Sequence, residues 1–264
     1  MKKIIAIGLL LINTLSFAQD KLEVTYSSRL ILPDDFKFEA PGGGGGRQMP
    51  KEMQEQMMKR LQEPQESVLT ILGDQSIYKA VEKISNDQLN GGGRGPGGRG
   101  PGGPGMMRMS GDNIYKDIST SSYMKVMNLF TKEYTVKDNL PHYDWKISRE
   151  TKTILGNEAK KATTEKDGQT IVAWFTSKIP SKTGPDSFWG LPGLILEVES
   201  NINQGFFNGK RIITITDIKT KNDKKELEAP KAKNIITEAE LEKLQQEQRS
   251  RFEQMRDQGV NKRD

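Results

Sequence analysis

Between residues 145 and 218 the chain alternates runs of β-branched and aromatic residues with glycine-containing dipeptides: Gly156-Asn157, Asp167-Gly168 and Asn208-Gly209. Asp-Gly and Asn-Gly reach the positive φ values of two-residue hairpin turns at little steric cost. The runs between them, about 145–155, 158–165, 170–178, 194–200 and 210–218, read as strands. No helical pattern of crossover length separates them, so the sheet is expected to be antiparallel rather than βαβ.

Within this meander, 184–198 is the most sharply written stretch. Leu191-Pro192-Gly193-Leu194 places Pro where a type II turn fixes φ near −65° and Gly where it needs positive φ. Leu194, Leu196 and Val198 then alternate with Ile195, Glu197 and Glu199, which predicts a strand with one apolar and one mostly polar face. Phe188, Trp189 and Leu191 crowd the approach, too apolar for a loop lying in water. Filling a core is favoured over lining a ligand-binding lip, because aromatic clusters more often pack than bind.

Gly190-Leu191-Pro192-Gly193-Leu194-Ile195 resembles the signature of the GLPGLI, or Porph_ging, family of secreted proteins from Gram-negative bacteria. Upstream, Trp145-Lys146-Ile147, Thr153-Ile154-Leu155-Gly156, Lys160-Lys161-Ala162-Thr163, Ala173-Trp174-Phe175-Thr176 and Ile179-Pro180 stand in that family's order, over about 144–218. Ala159 stands where the family often has cysteine. The resemblance implies export and a neighbourhood beside TonB-dependent outer-membrane receptors, with a biochemical function that is undefined and no catalytic residue to carry over.

Residues 1–18 have Lys2 and Lys3, the apolar run 4–12 and then Ser16-Phe17-Ala18, the three parts of a signal peptide in order. The run is too short for a membrane anchor, and no later stretch has the ~20 apolar residues of a transmembrane helix. Localisation is therefore expected to be periplasmic or otherwise exported, and soluble. The absence of cysteine excludes disulfides, thiolate metal sites and a lipid-modified N-terminal cysteine. Cleavage would lower the net charge from +5 to +3, too near balance for a dedicated polyanion binder.

The expected organisation is a signal peptide (1–18), one β domain (19–230) and a charged helical tail (231–264). Leu22, Val24 and Tyr26 alternate with Lys21, Glu23 and Thr25 in a first strand reaching toward Ile31. Low-complexity insertions fall near 40–64 and 90–110. The first holds the polyglycine run 42–46 and a short helix, 51–63, with Met53, Met57 and Leu61 along one stripe. The second is Gly-Pro-rich, lacks core-forming residues and reads as disordered. Strands are expected at 68–72 and 77–81, with further β character through Ile114, Ile118, Tyr123, Val126, Leu129 and Tyr134. Residues 219–233 read as a linker. Thr237-Glu238-Ala239-Glu240 is a capping box opening a helix to about 257, with a weak stripe at Leu241, Leu244, Phe252 and Met255. The fold class is mainly β: one curved antiparallel sheet or half-open barrel built from hairpins, with a C-terminal helix.

The chemical candidates are few. His142, the single histidine, follows Pro141 in a loop with no motif around it, and one histidine without cysteine excludes a His-rich zinc site. Glu197 and Glu199 share one strand face, as a carboxylate pair for hydrolysis would, but a solvated sheet face explains them more simply. Met49, Met53, Met57, Met58, Met106, Met107 and Met109 form soft-donor clusters suited to Cu(I), against the simpler reading of adaptable apolar contact. Arg94 and Arg99 lack interleaved aromatics for stacking bases, so nucleic acid is excluded, and neither glycine tract has the strand, helix and spacing of a phosphate cradle. The inner face is expected to carry Trp145, Trp174, Phe188, Trp189 and the segment Gly190-Leu191-Pro192-Gly193-Leu194-Ile195 as the ligand-binding or structural motif. The function expected is that of an exported envelope binding or accessory protein beside a TonB-dependent receptor. The alternatives are a Met-rich copper binder or a hydrolase using strand carboxylates, with enzymatic activity the weaker expectation.

Overall fold

The computed structural model describes residues 21–33, 36, 51–81, 113–129, 132–204, 207–223 and 225–260. Its strands are β1 (Lys21–Ile31), β2 (Gln65–Leu72), β3 (Gln75–Ala80), β4 (Asn113–Asp117), β5 (Ser122–Leu129), β6 (Lys132–Asn139), β7 (Lys146–Ile154), β8 (Asn157–Lys166), β9 (Gln169–Thr176), β10 (Leu194–Gln204), β11 (Phe207–Lys221) and β12 (Ile235–Ile236). Two helices, α1 (Lys51–Gln62) and α2 (Glu238–Val260), complete it. All strands join one sheet in the order β12-β6-β5-β4-β3-β2-β1-β11-β10-β9-β8-β7, antiparallel except for the β12–β6 pair. It is the expected mainly β sheet, and it is not closed into a barrel.

Strand order and chain connectivity together force the sheet to curl. Strands β6 and β7 are consecutive in sequence yet ten inter-strand spacings apart in the sheet, about 48 Å if it were flat. The link 140–145 between them reaches at most about 25 Å. Bulges in the β1–β11 pairing at Thr25/Tyr26, in β10 at Ile195/Glu197 and in β7 at Ile147/Thr151 supply bends of the required kind. The inner face carries the buried Val24, Tyr26, Leu69, Tyr78, Ile114, Val136, Ala162, Ala173, Phe175, Val198 and Ile213 in one cluster.

The turns correct several expectations. Asp167 (φ 52°) and Gly168 (φ 72°) make the predicted hairpin turn. At the β7–β8 hairpin the turn residues are Leu155 (φ 48°) and Gly156 (φ 72°), one position before Gly156-Asn157, because Ile154 pairs with Asn157. Asn208-Gly209 is not a turn: both residues sit inside β11, paired with Asn203 and Ile202, where Gly209 lets the Ile31 carbonyl come close. In β10 the bulge leaves Leu194, Ile195 and Leu196 all fully buried, so Ile195 does not belong to a polar face.

The capping box forms. The Thr237 N–H donates to Glu240 Oε2 at 2.7 Å, and the Glu240 N–H to Thr237 Oγ1 at 3.2 Å. Leu241 is 3% exposed and joins the main core, so the first turn of α2 docks. The 219–233 stretch begins inside β11 and ends where Thr135 N–H bonds the Lys233 carbonyl, which brings β12 onto the outer edge of β6. The expected insertion at 90–110 and residues 40–50 of the other lie outside the described residues.

Candidate functional site

The loop 177–193 is not a strand of the sheet, yet it occupies the space the sheet curls around. Tyr26 of β1 donates its hydroxyl to the Ile195 carbonyl at 2.6 Å, and Ser76 of β3 bonds Thr183 at 3.0 Å. Lys116 of β4, Arg211 of β11 and Trp145 of the 140–145 link also hold it. Groups from three strands and the link converge on this loop, and Tyr26 of a fourth fixes the start of β10 just past it, so the loop fills the interior.

The signature segment explains itself in this setting. Gly190 (φ 94°) donates to the Lys182 carbonyl at 2.8 Å. Leu191 is fully buried. Its carbonyl accepts from the Gly193 N–H at 2.8 Å, a closure one residue tighter than the type II turn the sequence suggested, with Pro192 at its apex. Leu194 N–H instead reaches the Ile179 carbonyl at 3.1 Å, which launches β10. Gly193 has φ 151°, and a Cβ there would lie 2.0 Å from the Thr176 carbonyl oxygen, so no other residue fits. Gly184 is similarly required: its Cβ would meet Ile195 Cβ at 2.7 Å.

The chief fastening is Lys116, fully buried on the inner face. Its Nζ donates to the carbonyls of Gly184 (2.7 Å), Asp186 (2.7 Å) and Phe188 (3.0 Å). Three acceptors use all three protons of an ammonium. Burial pushes the ammonium down to about 7, with the nearby Asp186 carboxylate opposing. Asp186 itself (φ 53°) ion-pairs with Arg211 Nη1 at 2.7 Å, and Arg211 Nε also donates to Ser28 Oγ at 3.1 Å. Burial pushes that carboxyl up, but Arg211 and then Lys125 outweigh it and hold it at about 2.

At the seam beside this loop, Tyr143 stacks on Trp145 at 5.4 Å and leans on the buried Phe188 at 5.6 Å. Trp145 Nε1 donates to the Trp189 carbonyl (2.8 Å) and Trp189 Nε1 to the Pro141 carbonyl (2.7 Å), so the two indoles lock the link and the loop together. Both remain half-buried, as does Tyr143, and together they form a partly exposed aromatic shelf. Burial pushes the Tyr143 phenol well up, and Lys166 Nζ lies 5.3 Å over its ring.

Trp174 is not part of this assembly. It pairs with Lys161 and Glu197 on the outer face, whereas its neighbours Ala173 and Phe175 point inward. Lys152 Nζ sits 4.2 Å over its ring and 2.5 Å from Glu197 Oε1, while Thr214 donates to Glu197 Oε2 at 2.9 Å. Glu199, on the same face, pairs with Lys210 at 3.2 Å. Each carboxylate is thus engaged by a lysine on the face turned away from the packed interior, which is not the cleft that acid/base chemistry requires. His142 is exposed, with Nε2 2.8 Å from Asp144 Oδ1. Met58 lies half-buried on α1, the side chains of Met53 and Met57 are not described, and Met49, Met106, Met107 and Met109 lie outside the described residues. Among the described residues no group of three or more His, Cys, Asp or Glu side chains could hold a metal.

Residues 131–197 match a family model described as a protein of unknown function, Porph_ging. This stretch carries the Porph_ging signature. The matched region supplies the link, the first three strands of the meander and the whole interior loop, while the side chains that fasten the loop and the start of β10 from across the sheet, Tyr26, Ser76, Lys116 and Arg211, lie outside it. No curated protein matches the chain. Among solved structures it is similar to PNGF-II in a C2 space group, with TM-score 0.48, 15% identity and coverage of 85% of this chain and 32% of that one. It is also similar to PNGF-II in a P21 space group, with TM-score 0.44, 16% identity and coverage of 83% and 31%. The chain spans about a third of the length of either.

Lys116, Arg211 and Asp186 had no distinguishing signal in the sequence. Lys116 alternates with Tyr115 and Asp117 as any strand lysine does, and its acceptors lie 68 to 72 residues away.

Proposed function

We propose that this is an exported cell-envelope protein that works by surface contact, as an accessory to a TonB-dependent outer-membrane receptor. The observation that supports contact over enclosure is the fate of the Porph_ging loop. Its apolar side chains and its carbonyls are spent on filling and fastening the interior, so the signature builds a scaffold. The half-exposed Tyr143, Trp145 and Trp189 are the accessible part of that scaffold, and large aromatics with their polar ends tied down are suited to contact. Export rests on the pattern of residues 1–18, and the partner class on the family resemblance of 190–195.

A pull-down from intact envelopes with the tagged chain is expected to recover a receptor of that class, and deletion of the coding region to lower uptake of the receptor's ligand. Recovery of no receptor together with unchanged uptake would refute the reading. Replacing Trp145 and Trp189 by Phe should weaken the recovery if the shelf makes the contact.

A further inference from the structure

The outer face of the sheet carries a second, smaller apolar cluster. Ile77 on β3 pairs with Tyr115 on β4, and Tyr115 with Met124 on β5, so the three stand side by side on the face opposite Tyr78, Ile114 and Tyr123. All three are buried, and the residue packed against them is Leu227, from the stretch between β11 and β12. That stretch crosses the outer face as a strap. At one end Asp223 Oδ2 lies 2.9 Å from Nζ of the buried Lys21 on β1. At the other, on β6, the Lys233 carbonyl accepts from the Thr135 N–H at 2.9 Å and the Lys233 N–H donates to Thr135 Oγ1 at 3.0 Å. Asn234 Nδ2 adds a bond to the Glu133 carbonyl at 2.7 Å.

Between these ends little holds the strap down. Residues 225–232 belong to no strand or helix, and among the described residues their one hydrogen bond runs from the Lys225 N–H to Asp223 Oδ1 at 2.8 Å, within the strap itself. Most of these residues are exposed, so their backbone groups bond water, and moving them outward breaks no ladder. Leu227 is the only large apolar side chain from Lys225 to Lys233. Length permits the motion as well. β1 and β6 are five inter-strand spacings apart, about 24 Å. The chain from Asp223 to Lys233 can reach about 35 Å, which leaves about 10 Å of slack.

We propose that residues 225–232 form a gating strap, which lifts from the outer face while both ends stay fastened and so alternately covers and bares Ile77, Tyr115 and Met124. A single leucine is a weak hold for a segment whose backbone makes no bond to the sheet, and segments with few buried contacts open at far smaller free energy than the whole fold. What the opening reveals is a row of cross-strand neighbours that the sheet does not cover by itself. The inference is independent of the receptor reading.

The chain has no cysteine, so an introduced thiol reports on its own surroundings without background. Met124→Cys places a thiol under the strap and Val198→Cys places one in the main core, each in the full chain. Ile77→Cys, on the other side of Tyr115, gives the same reading as Met124→Cys should that variant fail to fold. Under native conditions a thiol-reactive dye is expected to label Met124→Cys about tenfold faster than Val198→Cys, or more, because the strap opens more often than the fold. Leu227→Ala, which removes most of the hold, should raise labelling of Met124→Cys about tenfold and leave Val198→Cys unchanged. By hydrogen exchange the Thr135 amide should keep its protection in Leu227→Ala, since that end stays fastened. Equal labelling of the two cysteine variants, a Leu227→Ala change that leaves Met124→Cys as it was or speeds both sites alike, or loss of protection at Thr135 would each overturn the proposal.

Discussion

Replacing Lys116 by Met keeps the four-atom stem of the side chain, with sulfur in place of Cδ, and removes the ammonium. The carbonyls of Gly184, Asp186 and Phe188, at 2.7, 2.7 and 3.0 Å, then lose their shared donor. The site is fully buried, so water does not replace it. Leaving a buried acceptor unsatisfied costs about 1–3 kcal/mol. Three such losses, less the relief from no longer burying a charge, come to about 4 kcal/mol, in line with removal of one partner from a buried ionic contact. For a domain of this size that corresponds to a fall in Tm of about 8–16 °C. Thermal unfolding followed by circular dichroism measures it, and tryptophan emission reports on Trp145 and Trp189 at the loop. A Tm within about 2 °C of the parent would refute the argument that this ammonium holds the loop, since the apolar replacement would then satisfy the site as well as the charge does.

Three further outcomes follow from the same geometry. Gly193→Ala, at φ 151° with backbone 2.0 Å from the new Cβ, should cost about 3 kcal/mol or more in urea unfolding, against about 1 kcal/mol for Gly156→Ala at φ 72° in open space. Trp189→Phe loses the bond to the Pro141 carbonyl and should cost about 1 kcal/mol by the same measurement. Stability should also depend on pH with a definite sign. Lys116 is held down at about 7 in the fold against 10.5 ordinarily, so the unfolded chain binds the extra proton between those values and the urea midpoint should rise with pH across that window, a rise that Lys116→Met abolishes. Asp186 is held at about 2 against 3.8, so its contribution is present above the ordinary value and lost as pH falls toward 2.

The division between what was legible and what was not follows the range of the interactions. Hairpins are local: Asp167-Gly168 fixes its own φ values, and period-2 alternation places Val24 and Tyr26 inward whatever lies opposite. The Thr237–Glu240 capping box is legible because both partners lie within one turn. Errors of one residue, such as Leu155-Gly156 in place of Gly156-Asn157, arise because register depends on the whole hairpin and not on the dipeptide.

The amino-acid sequence by itself determined the β character of the chain, the antiparallel sense of the meander, the helix start and the family signature, because each depends on backbone preferences and side-chain period over a few residues. The tertiary structure alone decided that the sheet curls around its own loop, that Lys116 reaches three carbonyls across it, and that Trp174 faces outward while Trp145 and Trp189 close the seam. Those outcomes depend on where bulges bend the strands and on contacts tens of residues apart, and nothing in the local pattern around either partner records them.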